Sequence, residues 1–126
     1  MTKEALKIIS DDMERLNINY ELGEWTSDVV YPYFTGEYQE VPTLTEDVMT
    51  ETQFIFNGFS RGSWIDLVNA KETIENLYNK VSGRLVTTNN TVVAIFYDSS
   101  LVIPTGDAEL KRIQVNIKIK EWKAKL

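Results

Sequence analysis

A chain of 126 residues with 43% hydrophobic and 25% charged side chains has the length and composition of one globular domain that buries its core without disulfides or metal. It contains neither cysteine nor histidine, which excludes Ser-His-Asp and Cys-His catalysis, disulfide frameworks and transition-metal sites built on those ligands. A net charge of −6 disfavours binding of the domain to nucleic-acid phosphates.

The opening Met1-Thr2-Lys3-Glu4 is charged and helix-forming, with no apolar signal region behind it. No apolar run approaches the ~20 residues that span a bilayer. The expectation is a cytosolic protein where it is made. The first element reads as a helix from Thr2 to Leu16, with Leu6, Ile9, Met13 and Leu16 on one stripe and Lys3, Lys7, Asp11, Glu14 and Arg15 off it. Asn17-Ile18-Asn19 ends it.

Asp28 to Val41 is dense in aromatic and β-branched residues, which favours extended structure. Pro32 cannot donate to a ladder, so this stretch is an edge strand, a bulge, or two short strands broken at Gly36. Pro42 to Asp47 reads as a polar connection. A second strand follows from Glu51 to Phe59, with Phe54 and Phe56 on one face and Ile55 on the other. Asn57-Gly58 and Arg61-Gly62 bracket a loop, and Ser63 is the expected N-cap of a helix running to Ser82. Its stripe is Leu67, Ala70, Ile74, Leu77 and Val81, and Gly83 stands where a left-handed residue is expected.

The remainder reads as β. Leu85 to Thr88 passes through Asn89-Asn90, residues that tolerate positive φ, into the apolar run Thr91 to Tyr97, a hairpin with a covered second strand. Asp98 ends that run, and Pro104 to Asp107 is a loop. Arg112 to Trp122 alternates, with Ile113, Val115, Ile117 and Ile119 inward and Gln114, Asn116, Lys118 and Lys120 outward. The expected architecture is a single α+β domain over residues 1–126, two helices on one face of a mainly antiparallel sheet of four to five strands.

Charge is unevenly spread. Residues 1–63 hold 12 acidic and 4 basic side chains, and residues 64–126 hold 7 acidic and 9 basic. Glu21 to Glu51 contains eight carboxylates and no Lys or Arg, whereas the C-terminal stretch carries Lys111, Arg112, Lys118, Lys120, Lys123 and Lys125. The two patches are either solvated faces or the halves of a head-to-tail contact between copies. Trp25, Trp64 and Trp122, with Tyr31, Tyr33, Phe34 and Tyr38, are either core or an interface patch. Charge and aromatic character together select Tyr31, Tyr33, Glu37, Arg61, Lys118 and Lys120 as interface candidates.

Catalytic readings are weak. Asn57 to Ser63 has two glycines before a helix but lacks the Gly-Lys-Ser/Thr ending of a P-loop. Glu109-Leu110-Lys111 and Glu121-Trp122-Lys123 have the Glu-x-Lys form of metal-dependent nucleases, with Asp98 upstream, but three letters carry little information. Glu37, Glu40, Glu46 and Asp47 are as well explained by a solvated loop as by an acid/base pair. No catalytic residue, cofactor site or metal site is expected.

One layout does stand out: an N-terminal helix, Tyr31-Pro32-Tyr33 with Gly36-Glu37-Tyr38 after it, an acidic loop, a strand, a helix opening Trp64-Ile65-Asp66-Leu67, and a last strand Arg112-Ile113-Gln114-Val115-Asn116-Ile117 with Trp122 near its end. This order resembles the tail terminator, or tail-completion, proteins of tailed phages and phage-tail-like particles, over most of the chain. The resemblance implies a structural role: a ring, usually of six copies, that caps the tail tube and meets the head connector, collar or sheath. It also implies assembly in the host cytoplasm and a final place in the virion or particle. The family has no catalytic or ligand motif to carry over. The alternative is an acidic protein-binding module of the immunity-protein or antitoxin type, covering a basic partner with Glu21 to Glu51. A third expectation is a ligand-binding cup lined by the aromatic residues.

Overall fold

In a computed structural model, which describes residues 1–41 and 49–123, the elements run α1 (Lys3–Arg15), β1 (Tyr20–Leu22), β2 (Tyr33–Val41), β3 (Met49–Arg61), α2 (Trp64–Leu77), β4 (Arg84–Thr87), β5 (Thr91–Ile103) and β6 (Leu110–Lys123). The chain is α+β, and its described residues form two helices and one six-stranded mixed sheet of order β1-β2-β3-β6-β5-β4. Among them only the β1–β2 pairing is parallel. The sequence readings for Pro42 to Asp47 and for Lys125 lie outside the described residues.

Strand alternation sorts the sheet into two faces. Phe54, Phe56, Ile113, Val115, Ile117, Ile119, Val93, Ile95 and Tyr97 are buried on one, where Ala5, Ile9 and Met13 of α1 and Leu67 and Ile74 of α2 join the same core. The clean alternation of β6 is thus the pattern of the strand at the sheet centre, between β3 and β5. Thr2 caps α1, its hydroxyl accepting from the Ala5 N–H at 3.2 Å, and Ser63 caps α2 through the Ile65 N–H at 3.0 Å. The Thr2 hydroxyl in turn donates to Glu121 at 2.5 Å, so a buried β6 carboxylate sits at the positive end of α1.

Several expectations are corrected. There are six strands because β1, three residues long, is too short to leave a periodic signal. Asp28 to Pro32 is not strand: β2 starts at Tyr33 directly after a cis Tyr31–Pro32 bond. Gly36 does not break β2, because the Phe54 ring and the Tyr20 hydroxyl occupy the space where a side chain would stand. Asn57 to Arg61 belongs to β3, and the turn before α2 is left to Gly62, with φ +102. Asp98 does not end β5 but is the extra residue of a bulge between Tyr97 and Ser99, beyond which the strand continues to Ile103. The β4–β5 turn needs no positive φ at Asn89 or Asn90. It is closed by the Thr88 N–H on the Thr91 carbonyl at 2.8 Å and the Thr91 N–H on the Thr88 hydroxyl at 3.1 Å.

α2 stops at Leu77 rather than Ser82, and Val81 is 89% exposed. Tyr78 is the cause. Its carbonyl accepts from the Tyr97 N–H at 2.6 Å and its hydroxyl donates to Asp12 at 2.9 Å, which pulls the chain inward from the helix axis. The Asn79 side chain then accepts from the Val81 and Ser82 N–H groups. Arg84 closes a second contact on Asp12, its Nε and Nη2 each 2.8 Å from one carboxylate oxygen. Burial, reinforced by Asp12, pushes the Tyr78 hydroxyl far above its ordinary value. A group whose acid form is favoured in the fold contributes below its unfolded pKa of about 10, and that contribution is lost as pH rises past it. The stability difference between the native chain and Tyr78→Phe should therefore shrink above about pH 10, by ~1.4 kcal/mol per pH unit. Urea midpoints between pH 8 and 11 would show a constant difference if the hydroxyl contributes nothing.

Candidate functional site

The sheet face away from the helices is where the chain concentrates aromatic and cationic side chains. It is built from β1 outward. The Glu21 carboxylate accepts from the Thr26 hydroxyl at 2.7 Å and from the Thr26 and Ser27 N–H groups at 3.1 and 3.3 Å, folding the loop after β1 back on the strand. Those bonds, the Thr26 hydroxyl foremost, hold Glu21 below the usual carboxylate range. The loop delivers Trp25, whose indole N–H is held by the Asp28 carbonyl at 3.2 Å, onto the Tyr33 ring at 4.9 Å.

From Tyr33 the row continues across the strands. Register pairs Tyr33 with Phe59 and Phe59 with Arg112. The Tyr33 and Phe59 rings stack at 5.2 Å, and the Arg112 guanidinium lies 5.6 Å from the Phe59 centroid. Tyr31 flanks the row, 5.7 Å from Tyr33, and its hydroxyl accepts from Arg61 Nε at 3.4 Å. Arg112 donates to Asn57 at 2.9 Å, and Asn57 donates to Glu37 at 3.2 Å. Further along, Gln114 donates to Asn116, and Asn116 donates to Ser99 at 3.1 Å. The far end is a recess of about 280 Å³ lined by Lys80, Phe96, Tyr97, Asp98, Lys118 and Lys120, with the Lys120 ammonium 6.0 Å from the Phe96 ring.

Tyr33, Glu37, Arg61, Lys118 and Lys120 alternate onto this face, and Tyr31 reaches it through its contacts with Tyr33 and Arg61. They form two groups: Tyr31, Tyr33 and Arg61 by the aromatic row, Lys118 and Lys120 by Phe96, with Glu37 on Asn57 between β2 and β3. Sequence reading missed Asn57 and Phe59, and it placed Trp25 in the aromatic set and Arg112 in the basic stretch without selecting either as an interface candidate. The outward parity of Arg112 with Gln114 was a usable signal. The pairing of Phe59 with Tyr33 was not, since it needs the register.

Sheet order also converts the uneven sequence charge into a spatial one. β1, β2 and β3 carry Glu21, Glu37, Glu40 and Glu51 against Arg61. β6, β5 and β4 carry Lys111, Arg112, Lys118, Lys120, Lys123 and Arg84 against Asp98 and Glu121. The β1–β3 side of the sheet is thus acidic, whereas the cations are concentrated on the central strand β6, and the β5–β4 edge carries Arg84, held by Asp12, against Asp98.

The other constellations are not assembled. Glu37 lies on the open face with Asn57, whereas Glu40 takes the Met1 amine on the helix side, so they do not face one another; Glu46 and Asp47 are outside the described residues. Asp98 is exposed at the bulge, Glu109 is exposed before β6, and Glu121 is buried under Thr2. Among the described residues no group of three or more carboxylates is placed to hold a metal ion. Of the aromatic set, Trp64 lines a recess with Pro104 and Lys111 and Phe34 one with Asn19 and Ala70, whereas Trp25, Tyr31, Tyr33 and Tyr38 stack or stand on the sheet. Among the described residues no helix is long and apolar enough to cross a membrane. No protein-family model matches the chain, and no curated protein matches it.

Proposed function

We propose that this chain is a structural assembly protein of a phage or phage-like tail, a terminator that forms a ring, most simply of six copies, on the tail tube and meets the head connector, collar or sheath. The observation that supports this reading is an acidic β1–β3 side of the sheet beside a row of cations on β6. Patches of opposite charge at different places on one molecule suit a head-to-tail contact between copies, which closes into a ring when the rotation per subunit divides a full turn. The tail layout of the sequence supplies the rest of the reading. No catalytic residue, cofactor or metal enters it, and the candidates Tyr31, Tyr33, Glu37, Arg61, Lys118 and Lys120 act as contact surface. It assembles in the host cytoplasm and ends in the particle.

Sedimentation velocity and negative-stain microscopy test it, on the chain alone at low salt and mixed with tail tubes. Rings are expected, in solution or on the tube ends. Association should weaken at least about tenfold between 0.05 and 0.5 M salt, because exposed charges are screened over a few ångströms at the higher value. The double variant Lys118→Glu, Lys120→Glu should weaken it by about as much, without loss of fold by circular dichroism. A chain monomeric in both settings refutes the ring. If it then binds a basic protein tightly, the acidic side of the sheet is a binding surface of the immunity-protein kind.

A further inference from the structure

The two sheet edges have complementary outlines. β1 pairs only with Phe34, Thr35 and Gly36 of β2, so Glu37 to Val41 has no strand on its outer side among the described residues. β4 pairs only with Val92 to Ile95 of β5, which leaves Ser99 to Ile103 without one among the described residues. Each edge is therefore half covered and half bare, and the bare halves lie at opposite ends of the strands.

Register fixes their heights. Phe34 stands level with Gly58, Ile113 and Val102, and Gly36 with Phe56, Val115 and Ser100. β1 is thus level with the bare part of β5. Glu40 stands level with Thr52, Ile119, Ile95 and Arg84, and Val41 with Glu51, Lys120, Ala94 and Leu85. The start of β4, Arg84 and Leu85, is thus level with Glu40 and Val41 at the far end of the bare part of β2. The two outer strands fall at different heights, each level with a bare stretch of the opposite edge.

We infer that a second copy of this chain docks edge to edge, its β1 entering the gap beside Ser99 to Ile103 while β4 of the first copy enters the gap beside its Glu37 to Val41. This rests on the ring reading above and names its contact. Strand directions permit it: β1 would meet β5 antiparallel and β4 would meet β2 parallel, both pairings a mixed sheet accepts. Bare strand edges are templates for pairing with another chain. Both carry apolar side chains in the open: Leu85, Leu101 and Val102 on one, with Val102 58% exposed, and Leu22 and Tyr38 on the other. The twist between successive strands rotates each added copy relative to the last, which suits a closed ring better than a flat array.

The chain has no cysteine, so introduced pairs report without background. Leu22→Cys with Ser100→Cys places thiols at one height on the helix side of the sheet, and Val41→Cys with Leu85→Cys does so on the open side. Under mild oxidation each double variant should give a ladder of covalent multimers ending at the ring size seen by microscopy. The four single variants should give no species above a dimer. Rings that form while neither pair cross-links overturn the edge contact and leave the ring reading standing. A chain that neither cross-links nor forms rings, alone or with tail tubes, overturns both.

Discussion

Replacing Asp12 by alanine should remove about 3–5 kcal/mol of stability, the cost of taking one partner from a buried ion pair. The Asp12 side chain is 1% exposed and binds groups from two distant places in the chain, the Tyr78 hydroxyl at 2.9 Å and the Arg84 guanidinium at 2.8 Å through its Nε and Nη2. Its loss strands a cation and a hydroxyl with little water to replace the carboxylate. Arg15 also reaches Asp12, but its side chain is mostly in solvent and adds little. Combining Asp12→Ala with Arg84→Met should recover about 1–2 kcal/mol, because the penalty comes chiefly from the uncompensated charge. Urea denaturation of the three proteins decides the matter. A loss below about 1 kcal/mol for Asp12→Ala would mean that the contact is replaced by solvent and does not organise the core.

A second large effect is expected at Gly58. A Cβ there would stand 2.3 Å from Phe34 Cε1 and within 2.9 Å of two more atoms of the same ring. Phe34 is fully buried and paired with Gly58 in the β2–β3 register, so the ring cannot swing away into solvent. Gly58→Ala should cost about 1–3 kcal/mol by overpacking, and Gly58→Val more. In a Phe34→Leu background the same alanine should cost less, a coupling between neighbours of at least ~0.5 kcal/mol that a double-mutant cycle on denaturation data would measure. Strict additivity of the two changes would contradict the steric account.

Much of the fold was legible because local signals agreed with it. Thr2 and the Ile9–Met13 stripe gave α1 almost to the residue, Ser63 gave the start of α2, and Ile113 to Ile119 gave a strand with its inward side. The losses share one cause: the deciding interaction joined residues far apart in sequence. Val81 continues the α2 stripe, yet the helix ends earlier because Tyr78 is drawn to Asp12, 66 residues before it. Asp12 itself falls on the stripe of Ala5, Ile9 and Leu16 at helical spacing, a visible oddity, but nothing local points to Arg84, 72 residues on. β1 pairs in parallel with β2 through three residues, too few for period-two alternation to register. The site divided in the same way. Outward parity marked Lys118 and Lys120, whereas the row from Trp25 to Arg112 exists only once β2, β3 and β6 are aligned.

The central position of β6 bears on how the chain is made. A ribosome delivers β3 and β5 before β6, so the two halves of the sheet must wait, apolar faces unjoined, for the strand that bridges them. Productive closure is thereby postponed until Lys123 has emerged, and a nascent chain stalled before Leu110 would present two incomplete ribbons to neighbouring polysomes.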